Sequence, residues 1–349
     1  MKSSSSHRAR RRTLRIAFQI FAVALAVHLI WPRIAGFKHV GAAFARGSPV
    51  AIVALVVFEA ASLLSYGELV RVVLRSMGQD VSQNLVQRTT IVGTSLGRTL
   101  PGGTTAAMAV VVGALRRAGL DAVRATAALA ASGMLSSFVL ALLLVPAVVL
   151  AIVGGDSGSA ALSVAVVAAA IVAVVVGIIP AVRNPAAAGN LVERLLGRVP
   201  ARFRAGLDPA AVGGGVQKAV EGVRELAHDR HALRWGLAWA TANWLFDVAA
   251  LTAVAVTVGR GTPLTAVLLA YVIGQLAAAV PLTPGGIGIV ESAMIASFVA
   301  AGAPVAAATA TVLGWRLFSF WLPILVGLSL FPTLSRHVAG EAEDETLPG

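Results

Sequence analysis

Long apolar runs separated by short polar stretches set the pattern of this chain. Residues 14–30, 50–66, 126–153, 160–179, 233–258 and 305–330 each read as an uninterrupted hydrophobic stretch, long enough to cross a bilayer as a helix. Two further regions break that rhythm. Residues 83–117 carry "LGRTLPGGTTAAM" at their centre, and residues 264–301 carry "PLTPGGIGIVE". Each is a pair of apolar limbs around a Pro-Gly-Gly interruption. A limb of roughly 15–18 residues rises about 22–27 Å, slightly short of a hydrocarbon core about 30 Å thick. A re-entrant helical hairpin and two short tilted spans both fit.

Composition sharpens this reading. Of 349 residues, 57% are hydrophobic and 13% charged, and mean hydropathy is +0.84. Soluble globular domains carry nearly twice that charged fraction. The pattern predicts an all-α polytopic membrane protein of about eight helical elements, forming a single integral membrane domain over 1–349. The basic start of the chain followed by an apolar run invites comparison with a signal peptide, but "IWPRIAGF" offers no clean cleavage site. An uncleaved first transmembrane helix is expected, with His28 at its interfacial end.

The net charge of +12 does not point to nucleic acid, because the basic residues gather at segment ends and in loops. That is the positive-inside pattern. Lys2, Arg8, Arg10, Arg11, Arg12 and Arg15 place the N-terminal tail in the cytoplasm. Arg183, Arg194, Arg198, Arg202, Arg204, Lys218, Arg224 and Arg230 do the same for loop 183–232. The stretches 154–159 and 259–263, with no basic residue and one, are expected outside, as is the loop 31–48. The expectation is a multi-pass protein of the cell membrane with both termini cytoplasmic. With no cysteine, disulfides, thiolate metal sites and Cys nucleophiles are excluded. The six histidines have no metal-ligand spacing, and no cofactor is expected.

The two interrupted regions are related. A shift of 183 residues lays Pro101-Gly102-Gly103 on Pro284-Gly285-Gly286, Gly119 on Gly302 and Thr126 on Thr309. Repeat 1 then covers about 49–153 and repeat 2 about 232–331, with the acidic tail 336–349 left over as disordered chain. The charge balance makes the first hairpin open to the cytoplasm (Arg88, Arg116 and Arg117 flank it) and the second open outward, so the repeats are inverted. Interrupted segments in corresponding positions of inverted halves point to a midplane site, since broken backbone is tolerated only where it is buried or lines a cavity. Pro and Gly stop the helix, and the freed N–H groups of the next limb suit a phosphate or carboxylate. A plain tight turn between helices is the alternative. Thr104, Thr105 and Thr283 are placed to satisfy freed backbone groups.

Five charged residues lie inside apolar sequence: Glu59, Arg98, Asp247, Glu291 and Arg316. Such groups pair or mark a pathway. Glu291, one to two turns into the limb starting near Gly286, and Arg316, a third of the way into the last span, form the natural pair, either structural or on a substrate path. Arg98 either grips a lipid phosphate bidentately or snorkels to the interface. Asp247 and Glu59 read as helix–helix contacts or cavity lining, and only Asp247 is counted with the path. In loop 183–232, Leu191, Leu195 and Leu196 share a helical face near Arg194, Arg198 and Arg202, as in a helix lying on an anionic leaflet. "LDPAAV" is an Asp-Pro helix entry followed by Val216, Val220, Val223 and Ala227.

The C-terminal stretch resembles the lysylphosphatidylglycerol synthase transmembrane-region family of flippase-like membrane proteins. Their pattern Pro-x-x-Pro-Gly-Gly-x-Gly-x-x-Glu falls on Pro281, Pro284, Gly285, Gly286, Gly288 and Glu291, followed by Gly302 and Arg316. The resemblance spans essentially the whole chain and implies handling of lipids between leaflets. Two departures limit it. Only a short tail follows the last span, so the soluble aminoacyl-transferring domain of full synthases is not expected. "TTAAM" (104–108) stands where relatives often carry charge after the first Pro-Gly motif, so lysyl-lipid specificity is not implied.

The combined reading is a flippase or lipid transporter for an anionic or modified phospholipid, or a lipid-linked intermediate. Its expected path comprises Glu291, Arg316, Arg98, Asp247, Pro101, Gly102, Gly103, Pro284, Gly285, Gly286 and Gly288. The alternative is a non-transporting membrane partner of a separate lipid-modifying enzyme or glycosyltransferase, docking through loop 183–232. A membrane enzyme is disfavoured, because no paired carboxylates in a polar loop, metal triad or Ser/His/Asp grouping is evident.

Overall fold

A computed structural model describes residues 49–99, 103–153, 183–198, 208–258, 262–278 and 283–332. Outside these fall the expected spans 14–30 and 160–179, most of the loops expected to face outward, Pro101, Gly102, Pro281, His28, Arg202, Arg204 and the acidic tail. Thr104 and Thr105 lie in a helix whose first side chains are not described.

The described chain is helical throughout, as an apolar sequence must be when lipid offers no partner for its backbone. In order the helices are α1 (Pro49–Ser76), α2 (Gln83–Thr99), α3 (Gly103–Arg117), α4 (Ala122–Val153), α5 (Pro185–Arg198), α6 (Pro209–His228), α7 (Arg230–Val258), α8 (Leu264–Ala278), α9 (Ile289–Ala300) and α10 (Val305–Arg316). A 3₁₀ turn at Pro284–Gly286 separates α8 from α9, and a π-helical turn at Leu317–Trp321 carries α10 onward to Pro332. Among the described residues four helices are long and apolar enough to span: Pro49–Ser76, Ala122–Leu143, Arg230–Val258 and Val305–Pro332. Helices α8 and α9 are shorter.

The first of these spans outruns the apolar stretch 50–66. Past Tyr66 the sequence turns polar on one face only, while Leu69, Val70, Val73 and Leu74 stay buried on the other. Helix α1 packs most extensively on α7, α2 on α3, and α8 on α9. The limbs of each interrupted segment therefore lie against each other. One apolar core joins α1, α2, α3, α4, α6 and α7 around Leu69, Leu115 and Leu226. A second gathers α7 to α10 around Leu251, Tyr271, Met294 and Trp315. Ser62 and Asn243 tie α1 to α7 at 2.9–3.0 Å in a reciprocal hydrogen-bond pair.

The polar loop yields α5 and α6, which cross each other and seat on α4 through α6. Asp208 caps α6 as the Asp-Pro entry predicts, accepting from the Ala210 and Ala211 amides. The buried stripe of α6 differs from the expected valine stripe. Gly213, Ala219, Val220, Gly222 and Leu226 face inward, and Ala227 is exposed. Close backbone approach explains this, because small residues admit a neighbouring helix where valine would hold it off. A Cβ on Gly213 would stand 2.7 Å from the Gly189 carbonyl and 3.0 Å from Glu193 Cβ. Gly213→Leu is therefore expected to push α5 off α6 at a cost of about 1–3 kcal/mol. Hydrogen exchange should accelerate across Pro185–Arg198 while the α4–α6 seam stays protected. Unchanged protection in α5 would show that this crossing does not hold the hairpin.

Candidate functional site

The site begins with a missing donor. Pro323 has no N–H, so the carbonyl four residues earlier, on Ser319, loses its helical partner. Around it the last span opens into the π turn, closed by the Leu322 amide donating to Leu317 O. Such π insertions are often found at functional sites. Arg98, from the last turn of α2, donates from Nη1 to the freed Ser319 carbonyl at 2.6 Å. Ser95, one turn earlier, donates to Pro323 O at 2.7 Å. The interrupted backbone of α10 is thus repaired by α2.

Arg316, the residue before the π turn, meets Glu291 in a buried ion pair, with Nε 2.9 Å from Oε1. Glu291 is 8% and Arg316 7% exposed. The sequence alone puts Glu291 deeper in its limb. In the structure α9 starts only at Ile289, because Gly285, Gly286 and Gly288 all take positive φ and delay it. Glu291 therefore sits in the first turn, and its Oε2 accepts from the Gly288 N–H at 2.6 Å. The positive end of α9, expected to be available for a ligand, holds this carboxylate instead. Arg316 Nη2 also donates to the Gly285 carbonyl at 3.1 Å, and Thr283 satisfies the Ile287 carbonyl as its position suggests.

Phe320, inside the π turn, receives both cations. The Arg316 guanidinium lies 4.1 Å from its ring centroid and that of Arg98 5.5 Å. Gly285 touches the same ring, and a Cβ there would fall 2.5 Å from Phe320 Cζ and 2.9 Å from the Arg98 carbonyl. The end of the first interrupted limb therefore abuts the second break. Pro101 and Gly102 lie outside the described residues, Gly103 opens α3, and of Pro284 only the backbone turn is described.

Asp247, midway along α7, joins this group from the other side. Its Oδ2 accepts from the Tyr271 hydroxyl at 2.7 Å and its Oδ1 from the Trp315 indole at 3.0 Å. Tyr271 and Trp315 meet edge to face, 5.9 Å apart. Glu59 on α1, 4% exposed, lies close enough to interact with Asp247, Trp315 and Arg98. Arg98 in turn interacts with Arg316, Asp247, Glu59 and Tyr271. All five charged residues singled out in apolar sequence thus converge on one cluster. Glu59 belongs to it as fully as Asp247, although its sequence context counts only Asp247 with the path. Tyr271, Trp315, Ser319 and Phe320 join the site without having been expected there. Of these, only the Ser319–Pro323 spacing carries a sequence signal.

A cluster of two guanidiniums and three carboxyl groups, lined by aromatic rings and set in apolar helices, can bind an anion or hold a charge against the hydrocarbon. Among known proteins, the chain is 26% identical over 124 residues to a UPF0104 membrane protein of Methanothermobacter thermautotrophicus, an alignment covering 35% of this chain and 36% of that relative. The family described as "Lysylphosphatidylglycerol synthase TM region" matches residues 16–327, a span that contains every member of the charged cluster. The chain therefore belongs to the lysylphosphatidylglycerol synthase TM-region family of multi-pass membrane proteins.

Proposed function

We propose that this protein moves an anionic phospholipid, or a lipid-linked anion, between the leaflets of the cell membrane. The observation that carries the reading is Arg98. Among the described residues it makes no salt bridge, and the hydrogen bond it donates goes to a neutral carbonyl. It is nonetheless half-buried, where the α2 terminus meets the break at Gly285. A guanidinium so placed keeps donors for a phosphate in bidentate geometry. Arg316 is different, because Glu291 already neutralises it, so its part is to hold the broken backbone at Gly285 in position. Packing of the two interrupted segments as limb pairs supports inverted repeats around this point. Both termini then face the cytoplasm, and membrane phospholipid is the partner.

The test is leaflet exchange of fluorescent phosphatidylglycerol in proteoliposomes. Arg98→Ala removes a charge-assisted contact of about 1.5 kcal/mol and should slow exchange by about tenfold. Arg98→Lys should recover part of it as a point charge. Exchange at wild-type rate in a folded Arg98→Ala protein would overturn the reading.

One observation favours the partner reading. Leu191 and Leu195 on α5 are 56% and 51% exposed, with Arg194 and Arg198 exposed beside them. If this face served a separate lipid-modifying enzyme, Leu191→Ser/Leu195→Ser would abolish function in cells and leave exchange in liposomes intact.

A further inference from the structure

Charge balance in the cluster leaves one unit unexplained. Fully ionised, Glu59, Asp247 and Glu291 outnumber Arg98 and Arg316, and a net charge buried among apolar helices is costly. The hydrogen bonds say where the imbalance lies. Both oxygens of Asp247 have donors, from Tyr271 and Trp315, and both oxygens of Glu291 have donors, from Gly288 and Arg316. Glu59 Oε1 is buried and has no partner among the described residues. Two carboxyl groups face each other here, Glu59 from α1 and Asp247 from α7. The other charged or titratable groups around them are Arg98 from α2, Tyr271 from α8 and Arg316 from α10. Two facing carboxylates repel, whereas one protonated member donates an O–H to the other.

We propose that Glu59 is a proton-binding site, holding one proton against Asp247, and that this proton travels with the anionic lipid. A proton from water on one side forms the O–H bond of Glu59. On the other side that bond breaks, the electron pair stays on the carboxylate, and the proton returns to water. With the proton on Glu59 the empty cluster is neutral. A phosphate drawn to Arg98 adds negative charge beside Glu59 and strengthens its hold on the proton, so anion and proton bind together. The coupling rests on the lipid-moving reading above, but the proton site itself does not.

The experiment uses fluorescent phosphatidylglycerol in proteoliposomes under a gradient of one pH unit. Coupling of one proton to one lipid tilts the steady-state ratio between leaflets by about tenfold, in favour of the leaflet on the alkaline side. In Glu59→Gln the ratio should ignore the gradient, whatever the rate. Infrared difference spectra of the protein in detergent supply a readout independent of lipid. A protonated-carboxyl C=O band present at neutral pH in the wild type should vanish in Glu59→Gln. Wild-type exchange that equalises across the gradient overturns the coupling and leaves the lipid function standing. Absence of the band in the wild type overturns the proton site whatever the lipid does. With no exchange under any condition the lipid reading and the coupling fall together, and the band alone decides the site.

Discussion

Arg316→Ala is expected to destabilise the protein by about 3 kcal/mol, and Glu291→Ala by a similar amount. Removing one partner of a buried ion pair leaves the other as an uncompensated charge in low dielectric, which typically costs about 3–5 kcal/mol. The lower end applies because each survivor keeps other contacts. Without Arg316, the Glu291 carboxylate still accepts from the Gly288 amide. Without Glu291, Arg316 still reaches the Gly285 carbonyl and the Phe320 ring. Replacing both with glutamine removes both charges and keeps hydrogen-bonding groups, so the double variant should be more stable than either alanine variant. Denaturant unfolding in mixed micelles measures all of these. A double-mutant cycle on the alanine pair should show clear non-additivity; strictly additive losses would mean the pair is not coupled.

Gly285→Ala should be comparably damaging for a different reason. Gly285 has φ +60, a left-handed conformation costing an L-residue about 1–2 kcal/mol. Its added methyl would also stand 2.5 Å from Phe320 Cζ and 2.9 Å from the Arg98 carbonyl, an overlap worth about 1–3 kcal/mol. Gly302 separates the two causes. It has φ +88, and a Cβ added there would meet nothing within 4 Å, so Gly302→Ala should show the backbone cost alone. Phe320→Leu in the Gly285→Ala background should recover part of the crowding and none of the backbone strain. Equal losses at Gly285 and Gly302 would show that the ring contact is not tight. Because Phe320 also receives Arg98 and Arg316, Gly285→Ala is expected to slow lipid exchange in protein that still folds.

Several elements of the site are legible in the chain because their physics is local. Pro284-Gly285-Gly286 announces a helix break wherever it occurs, since proline lacks a donor and glycine tolerates positive φ. Charged residues within apolar runs announce themselves too, and the Glu291–Arg316 pairing follows from consecutive limbs with opposite charges. The Asp208 cap is of the same kind, whereas the expected valine stripe of α6 gives way to Gly213, Ala219 and Gly222, because packing on α4 and α5 decides which side faces inward.

The role of Glu59 is not legible. It lies 188 positions from Asp247 in sequence, and nothing in the run "VVFEAASLL" indicates that α1 and α7 pack together with their carboxyl groups facing. The π turn is half visible: Pro323 predicts an orphaned carbonyl on Ser319, but which side chain satisfies it depends on where α2 ends. The start of α9 falls later than the sequence suggests, because three glycines in left-handed conformations consume the residues that a limb beginning at Gly286 would have used.

By itself, then, the sequence determined that this chain lives in a membrane as helices, where the helices break and which residues carry charge into the bilayer. These follow from transfer energies and backbone conformations, which each residue brings wherever it stands. The tertiary structure alone decided that those charges form one cluster, that Phe320 is its floor, and that Arg98 and Glu59 have the least complete sets of partners within it. Proximity between distant segments is a property of packing, and packing is written in no single stretch of the chain.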